Sequence, residues 1–412
     1  MADAQFLFRN ASVLDAERGE LVPDRSVLVR GDRIVEVGGP GLSAGGAVAI
    51  DVHGRTLMPG LIDGHVHVNA VTADLAALEE WSSAYVTARA ARVLSDMLHR
   101  GFTTVRDAGG ADHGLAAAIE EGHLAGPRVI FGGKALSQSG GHGDQRKRGQ
   151  VTTGTCACGT GIISLLCDGV PEVRRAAREQ IRSGAHHIKV MLSGGIASPT
   201  DRIESTQFST EEIRAIVEEA EAANIYVCGH AYTARAVNRG LEVGVRSIEH
   251  GNFMDESSVA LFQEKNAFYV PTLATYAVLV SEGPENGLPP ASVQKAAGVL
   301  EAGLYALELA HRAGLHIVYG TDLLGGMHMH QLSEFRLRAE VQPPADILRA
   351  ATTEAARLLR MEGEIGVIAP NASADLLVVE GNPLEDIGVL TDPSRNLKVI
   401  QARGQMIVNS LQ

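Results

Sequence analysis

From about residue 60 to 355 short apolar runs alternate with amphipathic stretches, the rhythm of repeated strand–helix units that build a parallel sheet. Eight runs have strand length: LIDGHVHV (61–68), TTVRDAG (103–109), RVIFGG (128–133), HHIKVMLSGG (186–195), IYVCGHA (225–231), RSIEHG (246–251), FYVPTLA (268–274) and HIVYGTD (316–322). Helical spacing between them predicts helices over 82–100, 171–183, 210–224 and 303–313. Several close on a glycine suited to a left-handed cap, namely Gly101, Gly184 and Gly314. Eight units in order predict an α/β chain with a closed (β/α)8 TIM barrel. No glycine-rich dinucleotide turn follows the first strand, as an open doubly wound sheet would lead one to expect. Longer insertions fall at 138–170 and about 275–296.

The flanks follow a different pattern. Residues 6–57 and 375–409 read as short strands and turns, and neither flank is long enough for a core of its own. The economical reading is one small β-sandwich built from both termini. Its first part is 1–57, the barrel is 58–360, and its second part is 361–412.

Composition narrows the function classes. In 412 residues, 36 Lys and Arg stand against 49 Asp and Glu, a net charge of −13 that repels nucleic acid and anionic lipid. The opening MADAQFLFRN lacks a basic segment followed by a long apolar core, and no uninterrupted apolar run reaches membrane-spanning length. A soluble cytoplasmic protein is expected, with neither nucleic acid nor membrane as partner. The four cysteines, Cys156, Cys158, Cys167 and Cys228, do not make a disulfide framework for a chain of this size, and free thiols are expected.

Candidate chemistry gathers at the strand ends, where a barrel of this type carries its active site. Side chains alternate along a strand, so His65 and His67 share one face of the first. Two adjacent buried imidazoles are costly unless each finds a partner, and a metal ion satisfies both. The fourth strand carries Lys189, the fifth ends in His230, the sixth in His250 and the eighth in Asp322. Arg106 and Asp107, at the end of the second, are expected to tie the strands together.

This constellation, flanked by MPGLIDGHVH (58–67) and GEIGVIAPNASADLLVVEG (363–381), resembles the amidohydrolase superfamily over essentially the whole chain. The details GFTTVRDAGG, SGGHGD, HHIKVMLSGG, CGHAY and SIEHG are similar to the branch that holds imidazolonepropionase-like proteins and metal-dependent Xaa-Pro dipeptidases, or prolidases. Many imidazolonepropionases lack the strand-four lysine and use one metal, so Lys189 points to the dinuclear dipeptidase side. The resemblance implies that His65, His67 and Asp322 hold one divalent ion and His230 and His250 the other, with carboxylated Lys189 bridging them. A desolvated amine beside cations is driven toward its neutral form, which adds carbon dioxide to give a two-oxygen anionic ligand. Nitrogen and oxygen donors without thiolate suit zinc.

The implied reaction is hydrolysis of the amide of a dipeptide or N-acyl amino acid, with proline at the C-terminal side. Bound divalent ions lower the pKa of a shared water, which then attacks as hydroxide, and polarise the scissile carbonyl, while Asp322 is the natural proton shuttle. His142, in SGGHGD, is a candidate oxyanion donor. Tyr232, Arg202, His328 and His330 are candidates for holding the substrate, and a homo-oligomer is expected. A one-metal cyclic-amide hydrolase or deaminase of the imidazolonepropionase kind is the alternative. A non-catalytic relative is disfavoured because all six ligand positions are filled.

Overall fold

The computed structural model describes residues 4–149, 163–196, 198, 200–283 and 290–411. In chain order its first strands are β1 (Gln5–Asp15), β2 (Glu20–Arg30), β3 (Arg33–Gly38), β4 (Val48–Asp51), β5 (Thr56–Pro59), β6 (Leu61–Val66), β7 (Phe102–Asp107), β8 (Arg128–Phe131) and β9 (Ala135–Ser137). They continue as β10 (Ser164–Leu166), β11 (His187–Met191), β12 (Tyr226–Thr233), β13 (Ser247–Phe253), β14 (Phe268–Val270), β15 (His316–Ile317), β16 (Leu376–Val379), β17 (Leu397–Ala402) and β18 (Gln405–Asn409). The chain divides into two compact units, one comprising Met1–Asp63, Ser95–Thr104 and Phe335–Gln412, the other Gly64–Leu94 and Val105–Glu334.

The first unit holds a mixed sheet in the order β18-β17-β16-β5-β1-β2-β3, with β4 paired to β1. Strands from both ends of the chain meet in it, because β5 and β16 pair antiparallel with Leu57 opposite Val378. Inward positions of these alternating strands supply one apolar cluster, including Phe8, Val27, Ile34, Ile50, Leu57, Leu376 and Val399. Burying such side chains is worth about 1.5–3 kcal/mol each, enough to join two chain ends that could not fold apart.

The second unit holds a seven-stranded parallel sheet, β10-β9-β11-β12-β13-β14-β15. A separate three-stranded sheet runs β6-β7-β8. Backbone hydrogen bonds continue beyond both, from Gly64 N to Tyr319 O at 2.7 Å and from His186 N to Phe131 O at 2.9 Å. A Cβ on Gly64 would meet Val318 at 2.7 Å and Tyr319 O at 2.9 Å, so glycine is what allows that approach. In the seven-stranded sheet Lys189 stands opposite Cys228, Met191 opposite His230, and His230 opposite Glu249. Register and alternation therefore put the polar side chains of three strands on one buried face.

Predicted helices are found as Ser83–His99, Val170–Arg182 and Thr210–Ala222, the last opened by a capping box between Ser209 and Glu212. Gly101, Gly184 and Gly314 take φ of +90°, +88° and +66°. Two expectations need correction. The seventh and eighth runs keep strand geometry only over Phe268–Val270 and His316–Ile317, and Leu273–Ser281 is a helix that opens after Thr272 adopts φ +50°. The helix expected at 303–313 begins at Pro290 and ends at Arg312, so most of the described part of the 275–296 insertion is helical. Proline at a helix start loses no hydrogen bond, because that N–H has no partner inside the helix.

Cys167 and Cys228 are buried free thiols, and burial pushes the first up to about 12 and the second up to about 11, so both stay protonated. Cys156 and Cys158 lie outside the described residues, as does much of the insertion at 138–170. Among the described residues no helix is long and apolar enough to cross a membrane.

Candidate metal centre and active site

One cavity in the second unit is lined by His65, His67, His142, Lys189, His230, His250 and Asp322, with Leu75, Glu79, Gln145, Ile163, Met191 and Leu324 among its other walls. The six expected ligands and the expected oxyanion donor thus share one space. Strand parity accounts for Lys189 and His230 facing inward. His250 and Asp322 arrive differently, since both take left-handed backbone conformations, with φ of +75° and +54°. Alternation alone would turn His250 away from the face that holds Glu249; the reversed φ brings it back beside His65, with ring centroids 5.2 Å apart. Such conformations are uncommon outside glycine and persist only where the surrounding packing dictates them.

Each of the four imidazoles is anchored through one nitrogen. His65 Nδ1 donates to Glu249 Oε2 at 2.7 Å, His67 Nδ1 to Gly109 O at 2.8 Å, and His230 Nε2 to Gly194 O at 3.1 Å. His250 Nδ1 is bonded to Thr272 Oγ1 at 2.8 Å. The opposite nitrogens of His65 and His67 lie 3.4 and 3.3 Å from Asp322 Oδ1. Anchoring one nitrogen sets the tautomer and aims the other, as a metal-ligating imidazole requires. Donor atoms of His65, His250 and Asp322 all fall within 4.8 Å of one another, so these residues fit a divalent ion. His230, with its Nε2 committed to a carbonyl, has Nδ1 left for a metal.

Electrostatics favour the ligating form of His230, His250 and Asp322. Burial, then the neighbouring His142, His250 and Lys189, hold His230 well below the usual imidazole range; His250 is held low chiefly by burial. Burial raises the Asp322 carboxyl, but His65 and His67 outweigh it and keep the group well below the usual carboxylate range. Glu249, fully buried and also favoured by burial toward its neutral form, is held ionised by Arg106 and His65. The Arg106 guanidinium donates to Glu249 Oε2 at 2.7 Å, to Ser247 Oγ at 2.9 Å and to Gly64 O at 2.5 Å. Asp107 accepts the backbone N–H groups of Val68, Gly109 and Ala111. Both residues knit strand ends together.

His142 stacks on His230 with centroids 4.2 Å apart and 14° between planes, and its Nδ1 lies 3.2 Å from Ser198 Oγ and 3.5 Å from Asp201 Oδ2. A Cβ on Gly195 would come within 2.3 Å of the His142 ring. Gly195→Ala is therefore expected to displace His142 and lower kcat by roughly 10- to 100-fold, since misplacing a catalytic group by about 1 Å costs that much. Unchanged circular dichroism and metal content alongside the lost activity would assign the effect to His142; full activity would show that its position does not matter.

The residues expected to hold substrate are distributed unevenly. Tyr232 is buried, stacks on His250 at 5.3 Å and shares a 2.7 Å hydrogen bond with the Tyr276 hydroxyl. Arg202 is exposed, His328 is buried with Nε2 donating to Ala70 O at 3.3 Å, and His330 pairs with Glu282 at 2.6 Å. None of these four is among the described residues lining the cavity. Sequence reasoning passed over Glu249, Glu79 and the Gly109 and Thr272 anchors. Glu249 alone left a signal, because Ser247 and Glu249 alternate as polar positions inside an otherwise apolar strand.

Ligand-type side chains converging on one cavity at the ends of parallel strands define a metal-dependent hydrolase. Residues 56–407 match the amidohydrolase family, and the chain belongs to it, as a hydrolase acting on amide bonds. The structure is similar to a crystal structure of a prolidase complexed with N-methylphosphonate-L-proline, at 50% identity and TM-score 0.95 over 98% of this chain and 100% of that one. It is also similar to a Xaa-Pro dipeptidase with methionine bound in its active site, at 29% identity and TM-score 0.85 over 98% of this chain and 100% of that one. The ochratoxinase of Aspergillus niger is 35% identical over 354 residues, covering 82% of this chain and 72% of that protein.

Proposed function

We propose that this chain is a dinuclear metal-dependent dipeptidase that cleaves the amide before a C-terminal proline. The observation that carries the reading is the set of four imidazoles, each anchored through one nitrogen, around a cavity shared with Lys189 and Asp322. The likeness to prolidase structures supports the choice of substrate. In this reading the parallel strands close as a (β/α)8 barrel over 58–360, and 1–57 joins 361–412 in a β-sandwich. The Gly64–Tyr319 and His186–Phe131 hydrogen bonds support closure.

His65, His67 and Asp322 would hold one divalent ion, and His230 and His250 the other. Lys189 would bridge them after its neutral amine adds carbon dioxide and gives up a proton. Zinc suits this nitrogen and oxygen donor set. When bound, such ions lower the pKa of a shared water and polarise the carbonyl. Asp322 takes the proton of the attacking water and delivers it to the departing proline nitrogen. His142 donates to the carbonyl oxygen as negative charge grows there. Tyr232 is assigned to the substrate carboxylate, with Arg202, His328 and His330 as outer contacts. The protein is expected to work as a cytoplasmic homo-oligomer.

Metal analysis of the purified enzyme, with a hydrolysis screen of Xaa-Pro, Xaa-Arg, Xaa-Phe and N-acyl amino acids on the same sample, tests this. Two ions per chain with Xaa-Pro cleavage is the expected result. One ion and no peptide cleavage would favour a ring hydrolase of the imidazolonepropionase kind.

A further inference from the structure

His142 reaches the cavity from a turn, outside any strand or helix, so contacts rather than a repeating period must set the direction of its ring. Residues 192–195 and 205–207 supply them. They run antiparallel, with Gly194 N bonded to Ser205 O at 3.0 Å and Gln207 N to Leu192 O at 2.8 Å. The buried Gln207 then works in two directions. Its Oε1 accepts the backbone N–H of His142 at 2.8 Å, and its Nε2 donates to Asp201 Oδ2 at 3.0 Å. Gly195 N donates to the same carboxylate oxygen at 3.2 Å.

That oxygen, Asp201 Oδ2, stands 3.5 Å from His142 Nδ1, and Ser198 Oγ lies 3.2 Å from the same nitrogen. The Asp201 side chain is only 2% exposed, and its other oxygen, Oδ1, has no hydrogen-bond partner among the described residues. A buried carboxylate is costly unless its contacts offset the lost hydration, and here those contacts converge on the oxygen that faces His142. An imidazole turned by half a rotation about its Cβ–Cγ bond fills the same space but exchanges nitrogens with carbons. Stacking on His230, at 4.2 Å and 14°, sets the plane of the ring and does not distinguish the two orientations. A carboxylate does, because it attracts an N–H more strongly than a ring C–H. With Nδ1 kept at Asp201, Nε2 rather than Cε1 is left for the reacting carbonyl.

We infer that Asp201, held by Gln207 and Gly195, is the positioning residue that fixes the ring orientation of His142. The inference rests on the proposed oxyanion role of His142 and identifies what aims it.

The test measures Ala-Pro hydrolysis by Asp201→Ala and Asp201→Asn, each with His142 present and with His142→Ala, alongside metal content and circular dichroism. Asp201→Ala is expected to lower kcat roughly 10- to 100-fold, the cost of a misplaced catalytic group, with KM and metal content little changed. Asparagine can put its carbonyl oxygen where Oδ2 stands, still accepting from Gln207 and Gly195, so Asp201→Asn is expected to recover most of that rate. Added to His142→Ala, the Asp201→Ala change should cost nothing more, because its effect passes through a ring that is no longer there. Where alanine compromises the fold, Asp201→Ser, polar but one bond too short to reach the ring, takes its place. Equal losses with and without His142, no loss in either, or a loss carried by KM would overturn the role of Asp201 and leave the hydrolase reading intact. An asparagine variant as slow as alanine would overturn orientation as the cause. Wild-type kcat in His142→Ala alone would overturn the oxyanion assignment itself, and the inference with it.

Discussion

Asp322→Asn is expected to lower kcat by roughly 100- to 10,000-fold, the range attributed to a positioned proton-transfer group. The carboxamide keeps the size of the side chain and one oxygen donor, but it cannot accept and return a proton. Asp322 Oδ1 already lies within 3.4 Å of both His65 Nε2 and His67 Nε2, so the substituted side chain retains its setting. Metal content measured beside the rate separates two causes of a loss. Activity lost with the wild-type metal content retained assigns Asp322 to proton transfer; activity lost together with metal assigns it to binding; a variant with full activity and the wild-type metal content would rule out both.

Glu249→Ala is expected to be strongly destabilising. It strips the fully buried Arg106 of its counter-charge, and breaking such a pair from one side costs about 3–5 kcal/mol. The same change removes the acceptor that orients His65 through Nδ1, and loss of such a support lowers metal affinity by roughly 10- to 100-fold. Denaturant unfolding and metal retention during dialysis against a chelator read the two effects separately. Replacing both partners, as Arg106→Met with Glu249→Leu, should recover stability because no unpaired charge remains, while metal affinity stays low. If the double variant regained both, the His65 hydrogen bond would not be what orients the ligand.

These two variants mark the boundary of what could be read along the chain. His65 and His67 were visible because a strand repeats every two residues and puts both on one face. Lys189, His230, His250 and Asp322 were visible because parallel strands expose their ends at one edge. Glu249 was half visible, since its parity in SIEHG is polar, but its partner Arg106 is 143 residues away and only packing brings them together. Arg202, His328 and His330 were assigned from nearness in sequence to ligands. Beyond a strand end no period governs direction, and these side chains are not among the described residues that line the cavity. The helix at Pro290–Arg312 was placed thirteen residues short at its start, because its first turns carry proline and small residues that read equally well as a loop.

The sequence by itself determined the kinds of ligand, their order and the parallel α/β scaffold that presents them, because local periodicity and turn chemistry act between near neighbours. Tertiary structure decided which imidazole nitrogen is anchored, how His250 and Asp322 turn inward through left-handed backbone, and that Glu79 stands in the cavity wall. Those features depend on contacts between residues far apart in the chain, whose partners are set only once the strands are in register.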